Sequence, residues 1–195
     1  MIFNFTKDFQ FTSRFYLNDK PLKQVESKKL LGTIISSDLT WRENTNFLVQ
    51  KSYKRLEILR KLYEFNVPIT DLVHIYTLYV RSILEFNCCV WHFSITVEES
   101  EEIERVQKIA LKLILRNKYL SYKHALQMTD LETLEERRLM LCQRFAVKTS
   151  KNAKTNSIFP LDTTKHSNKY KVTFARTDRL LYSAVPQMQR ILNTI

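Results

Sequence analysis

Glycine is almost missing from this sequence: Gly32 is the only one in 195 residues. Loops that cradle phosphates need positive φ and close backbone approach, so glycine-rich nucleotide motifs are excluded. Scarce glycine also disfavours tight hairpins and points to a mainly helical chain. Two aspartates are nowhere adjacent, no His-x-Asp pair occurs, and no Gly-x-Ser-x-Gly elbow is present. Those gaps argue against a facial iron triad and a hydrolase of the elbow type. Cysteine is limited to Cys88, Cys89 and Cys142, an odd number with two side by side. Such a set is no disulfide framework and suits a reducing, intracellular setting, cytoplasmic or nuclear. No stretch has the pattern of a secretory leader. The most apolar run, Leu72 to Trp91, is interrupted by Arg81 and Glu85. It predicts a buried helix, and no membrane partner is expected.

What is present is an excess of positive charge and of aromatic carbon. The net charge is +11, with 12 Phe, 9 Tyr and 2 Trp. The aromatic and aliphatic content is enough for a folded core. The charge is uneven: residues 149–195 hold eight basic and two acidic side chains. A basic chain favours polyanionic partners, nucleic acid first, while a basic tail is equally well a solvated one.

The periodicity divides the chain into three parts. Residues 1–40 alternate like strands, with Met1 to Phe5, Phe11 to Leu17 and Lys29 to Ser36 as apolar runs. Asn18-Asp19-Lys20-Pro21 is a turn signal, and Gly32 inside the third run marks a bulge or close approach. A small antiparallel sheet is predicted here. Residues 41–148 change to helical spacing. Leu48, Leu56, Leu59, Leu62 and Tyr63 form one stripe, and Pro68 closes that helix. Leu72, Ile75, Tyr76, Tyr79, Ile83 and Phe86 share a second face, in a helix apolar enough on most sides to be central. Thr96 with Glu99, and Thr129 with Glu132, read as capping boxes opening two more helices. Ile103, Val106, Ala110 and Leu113 face the core of the first; Leu131, Leu134, Leu141 and Phe145 mark the second. Residues 149–170 read as linker, followed by an amphipathic piece, Leu180 to Leu192, able to dock back. The fold class is therefore mainly α, a small N-terminal antiparallel sheet followed by a helical bundle and a basic C-terminal segment.

Four constellations carry chemical possibilities. Lys51, Lys54, Arg55 and Lys61 project from the side of their helix opposite Leu48, Leu56 and Leu59. That is either a phosphate-contacting face or a solvated one. Cys88 and His92 stand one helical turn apart, but zinc needs four ligands. Cys142 and His74 or His124 would have to complete the set without any supporting spacing, so no metal site is assigned. The acidic run Glu98, Glu99, Glu101, Glu102 and Glu104 sits where a helix N-terminus favours acids anyway. Tyr76 and Tyr79 either stack on bases or pack in the core.

The order of segments is more specific than any one of them. Lys29-Leu30-Leu31-Gly32-Thr33-Ile34-Ile35 with Asp38-Leu39-Thr40-Trp41 comes first. It is followed by Lys51 to Leu62, then Ile75-Tyr76 with Val80-Arg81-Ser82-Ile83-Leu84-Glu85-Phe86 and Val90-Trp91. Next come Glu104-Arg105-Val106-Gln107-Lys108 with Leu113-Ile114-Leu115. Tyr122, Ala125-Leu126, Leu131, Leu134, Arg137-Arg138, Leu141-Cys142 and Phe145-Ala146 follow. Ser183-Ala184-Val185-Pro186 and Leu192-Asn193 close the series. This succession resembles the region downstream of the catalytic strands in non-LTR retrotransposon reverse transcriptases, of the LINE type and jockey- or RTE-like.

The resemblance implies the end of a palm in residues 1–40, a thumb-like helical domain in 41–148, and a tail. It implies a primer-grip-like turn at Leu31-Gly32-Thr33 and an RNA–DNA hybrid or duplex as partner, held weakly by an isolated piece. The family's polymerase chemistry uses carboxylates holding two magnesium ions, from an upstream strand and an Asp-Asp turn. No position here matches them, so no catalytic residue and no cofactor is carried over. The expectation is a catalytically incomplete C-terminal portion, its N-terminal strands prone to self-association.

Overall fold

In the computed structural model, residues 15–162 and 169–195 are described. The expected strand Met1 to Phe5, and most of Phe11 to Leu17, lie outside them. Two separate hairpins precede the helices. β1 (Tyr16–Leu17) pairs antiparallel with β2 (Lys20–Pro21), and β3 (Ser27–Leu30) pairs antiparallel with β4 (Thr33–Ser36). Asn18 and Asp19 take φ of 49° and 60°, the left-handed pair that a two-residue hairpin turn requires. Leu31 and Gly32 do the same, at 47° and 91°. Lys29 to Ser36 is thus not one strand bulged at a glycine; the glycine is the turn that folds it in two.

Helices follow. α1 is Arg42–Glu64, α2 Ile69–Ile75, α3 Ser82–Leu84, α4 Cys88–Trp91 and α5 Val97–Leu115; α6 is Tyr122–Thr129, α7 Leu134–Ser150, α8 Asp178–Leu181 and α9 Ala184–Leu192. α1 packs chiefly on α5, burying Leu48, Leu56 and Leu59 against Ile103, Val106, Ala110, Leu111 and Ile114. No helix among the described residues is long and apolar enough to cross a membrane.

Between α2 and α3 the chain winds as a π-helix, Tyr76–Arg81. Its wider turn moves the buried face. Leu72, Tyr76, Val80 and Leu84, each four residues on, line the core. Ile75 and Ile83 are only partly covered, and Tyr79 and Phe86 are exposed. The face read from a regular α period is therefore rotated, because i→i+5 bonding adds a residue to the turn. Leu78 is exposed too, so this segment is a wall of the bundle and not its centre.

The box Thr96–Glu99 caps α5 as expected, with both reciprocal bonds present. The second expected box is displaced. The Thr129 hydroxyl donates to the Ala125 carbonyl inside α6, and the box that opens α7 is Thr133 with Glu136. In α7 the buried positions are Leu134, Arg138, Cys142 and Ala146, while Phe145 faces solvent. A polar network ties the bundle together. Tyr76 Oη donates to Gln107 Oε1 at 2.7 Å, and Gln107 Nε2 donates to Tyr122 Oη (2.8 Å) and the Glu132 carbonyl (2.9 Å). Tyr122 Oη in turn donates to Glu104.

The C-terminal segment docks back, with Phe159 and Met188 meeting Ala146 of α7 in a second small core. The region read as linker is therefore partly packed: Phe159 is buried, and Leu161 bridges to Tyr170.

Candidate nucleic-acid interface

α1 is the long element of the molecule, and its surface sets the candidate site. Lys51, Lys54, Arg55 and Lys61 are all exposed. At 100° per residue they fall within an arc of about 120°, and ten residues span about 15 Å of axis. Lys54 and Lys61 lie opposite the buried Leu stripe. Lys51 and Arg55 do not; they border it on one side, where aromatic rings come to the surface. Lys51 Nζ stands 5.8 Å from the Phe47 ring centroid, and the Arg55 guanidinium 5.7 Å from that of Tyr79. Among the described residues none of the four makes an ion pair, whereas neighbouring Arg60 is taken by Glu57. Four cations therefore face water uncompensated, two of them held over ring faces.

The β3–β4 hairpin supplies a fifth cation. Ile34 N–H donates to Asn44 Oδ1 at 3.1 Å, fixing β4 along the first turns of α1. On β3, paired opposite Ile34, Lys29 swings its Nζ to 4.3 Å from the Phe47 ring. Lys29 and Lys51 thus share one ring. At the hairpin tip the three primer-grip-like residues behave differently. Leu31 is 88% exposed. Gly32 lies against Phe86, whose ring carbons would come within 2.7 and 2.9 Å of a Cβ there. Thr33 is buried and its Oγ1 accepts from Asn87 Nδ2 at 2.8 Å. Only Leu31 presents a side chain outward; Gly32 and Thr33 seat the turn on the corner between α3 and α4.

Beyond Lys61 the positive surface continues onto the end of α5. Arg116 stacks 3.9 Å from the Tyr63 ring centroid, and a cleft of about 370 Å³ there is lined by Tyr63, Asn66, Arg116, Asn117 and Lys118. Lys29, Phe47 and Arg116 carry no signal in the helical spacing: Phe47 sits on α1 itself, and Lys29 and Arg116 reach the face from other elements. Tyr79, which the sequence offers either for base stacking or for the core, comes to the surface beside Arg55. Tyr76, its companion in the sequence, is core: burial raises its hydroxyl well above the usual range.

Three acids of the 98–104 run are engaged in structure. Glu99 closes the α5 cap, Glu102 pairs with Arg42 at 3.1 Å, and Glu104 accepts from Leu134 N–H at 3.0 Å. The sulfur groups behave otherwise. Cys142 of α7 arrives beside Cys88 and Cys89 of α4, all three Sγ atoms within 4.8 Å of one another. His92 is set apart by its Nδ1, which accepts from Arg138 Nε at 3.4 Å. His74 and His124 take no part.

Compared with family models, curated proteins and solved structures, the chain matches none.

Proposed function

We propose that this chain is the thumb-side portion of a non-LTR retrotransposon reverse transcriptase, which grips a template–primer duplex through its phosphates and does no polymerisation alone. The observation that carries this reading is the row of unpaired cations on α1, joined by Lys29 across the hairpin. Phosphate contacts are sequence-independent and need no more than such a row. The order of segments in the sequence supports the family, and the docked Leu31-Gly32-Thr33 turn beside the row supports a primer-side role.

The test is a salt series with an RNA–DNA hybrid. Each phosphate contact contributes about 0.9 to the slope of log affinity on log salt, so replacing Lys51, Lys54, Arg55 and Lys61 by Gln removes up to about 3.6. A control loses Lys151, Lys154, Lys171 and Arg176, with the same change in net charge. An equal loss in the control overturns the assignment to α1. Primer extension with magnesium and nucleotides gives no product on this reading.

A second reading has its own observation. Leu78, Tyr79, Phe86 and Val90 expose apolar surface along one wall, which suits a helical interaction module that binds protein. Absent or salt-insensitive duplex binding favours it.

A further inference from the structure

We propose that Cys88, Cys89 and Cys142 together bind one soft, thiophilic metal ion through three sulfurs, Cu(I) fitting best. The sequence argued against a metal site because Cys142 is remote in the chain and no fourth ligand has metal-like spacing. The fold removes the first objection, and a three-coordinate ion removes the second.

Three atoms no more than 4.8 Å apart have a common centre at most about 2.8 Å from each. Metal–thiolate bonds are about 2.3 Å, so each sulfur needs to move inward by about half an ångström. Small side-chain rotations supply that. Soft thiolate donors select Cu(I) or zinc over hard cations. Zinc in a closed structural site takes four ligands. The one imidazole nearby is unsuited as a fourth: with Nδ1 accepting from Arg138, the neutral ring carries its proton on Nε2.

The surroundings are built for a negative centre. Arg138 is fully buried, one helical turn before Cys142 on α7. Its Nη2 donates to Ser100 Oγ at 2.8 Å, its Nη1 has no hydrogen-bond partner, and no carboxylate lies within salt-bridge distance among the described residues. Glu104 and Glu135 act on this guanidinium only from beyond contact, and a tris-thiolate complex adds counter-charge that a buried cation needs. Each thiol gives up its proton to solvent as its sulfur binds; Cu(I) with three thiolates carries two negative charges, of which Arg138 offsets one. Cys88 and Cys142 are buried while Cys89 is partly exposed, so entry is from the Cys89 side.

The experiment uses the full chain, reduced and anaerobic, titrated with Cu(I) against a chromophoric Cu(I) chelator. One equivalent is expected, with three sulfur neighbours by X-ray absorption. Cys142→Ser and Cys89→Ser should each bind at least roughly 100-fold more weakly. Wild-type-like binding by either folded variant overturns the proposal, as does no binding by the wild type. Far-UV circular dichroism checks folding. If Cys142→Ser does not fold, the sulfur count on the wild type decides, and fewer than three overturns the site.

Discussion

Gly32 is the residue on which the hairpin turns, and two independent constraints meet there. Its φ of 91° is a region that side-chain-bearing residues rarely adopt. A Cβ would also press into the Phe86 ring. Gly32→Ala should cost about 1–3 kcal/mol by chemical denaturation. The two causes separate in a double-mutant cycle. With Phe86→Ala in place the clash is gone and only the backbone term remains, so the glycine substitution should cost about 1 kcal/mol less. Strict additivity would mean that the ring does not constrain the turn. His92 offers a second single-residue test. Burial, then the neighbouring Arg138 charge, push its imidazole down to about 4. An unfolded histidine titrates near 6.5. Between those values the unfolded chain binds a proton that the native one refuses, so stability falls as pH drops from about 6.5 to 4. Glu85 works the other way, since burial raises its carboxyl. His92→Gln removes the histidine contribution alone. Its urea midpoint should fall less than the wild type's between pH 7 and pH 4.5, and parallel profiles would refute the assignment.

At the scale of the element, two threonines four residues apart make opposite predictions. Thr133 caps α7 through the Glu136 N–H, and Thr133→Ala should cost about 1 kcal/mol. Thr129 only bonds back to its own helix, so Thr129→Ala should stay within about 0.5 kcal/mol. Thermal or urea unfolding of both variants checks this, and an equal loss from each would contradict the observed helix start. The case also shows what a sequence can disclose. Both threonines satisfy the capping pattern, and local spacing cannot choose between them; the start at Thr133 is the one that leaves Leu134 N–H free to donate to Glu104 of another helix. The π turn was hidden for a similar reason. Leu72, Tyr76, Val80 and Leu84 are spaced by four, whereas a regular α period places the buried face elsewhere. By contrast, α1, its Leu stripe and its end before Pro68 were legible, because a long amphipathic helix with a proline stop is a local matter. The exposed cations of α1 were legible for that reason too. Lys29 over Phe47, and Cys142 beside Cys88 and Cys89, depend on packing between distant elements and have no local signature.

For the molecule as a whole, two surfaces compete to explain any association it shows, and salt moves them in opposite directions. Among the described residues each hairpin has only two strands, so β1, β2 and β3 each keep an edge unpaired by a further strand, while β4 lies along α1. Tyr16, Leu17, Leu22, Leu30 and Leu31 expose apolar side chains there. Self-association through this end should grow with protein concentration in light scattering and strengthen with sulfate, which favours apolar burial. Binding to a duplex through α1 should weaken as salt rises. Leu17→Lys with Leu22→Lys should therefore reduce the oligomer without flattening the salt slope for RNA–DNA hybrid, because neither residue belongs to the cationic row or to the Leu31-Gly32-Thr33 turn. The α1 glutamine variant should do the reverse. If the lysine pair leaves the oligomer unchanged, or if the wild type stays monomeric at the highest concentration reached, the hairpin edges are not the sticky surface. The exposed wall from Leu78 to Val90 would then be the next place to substitute.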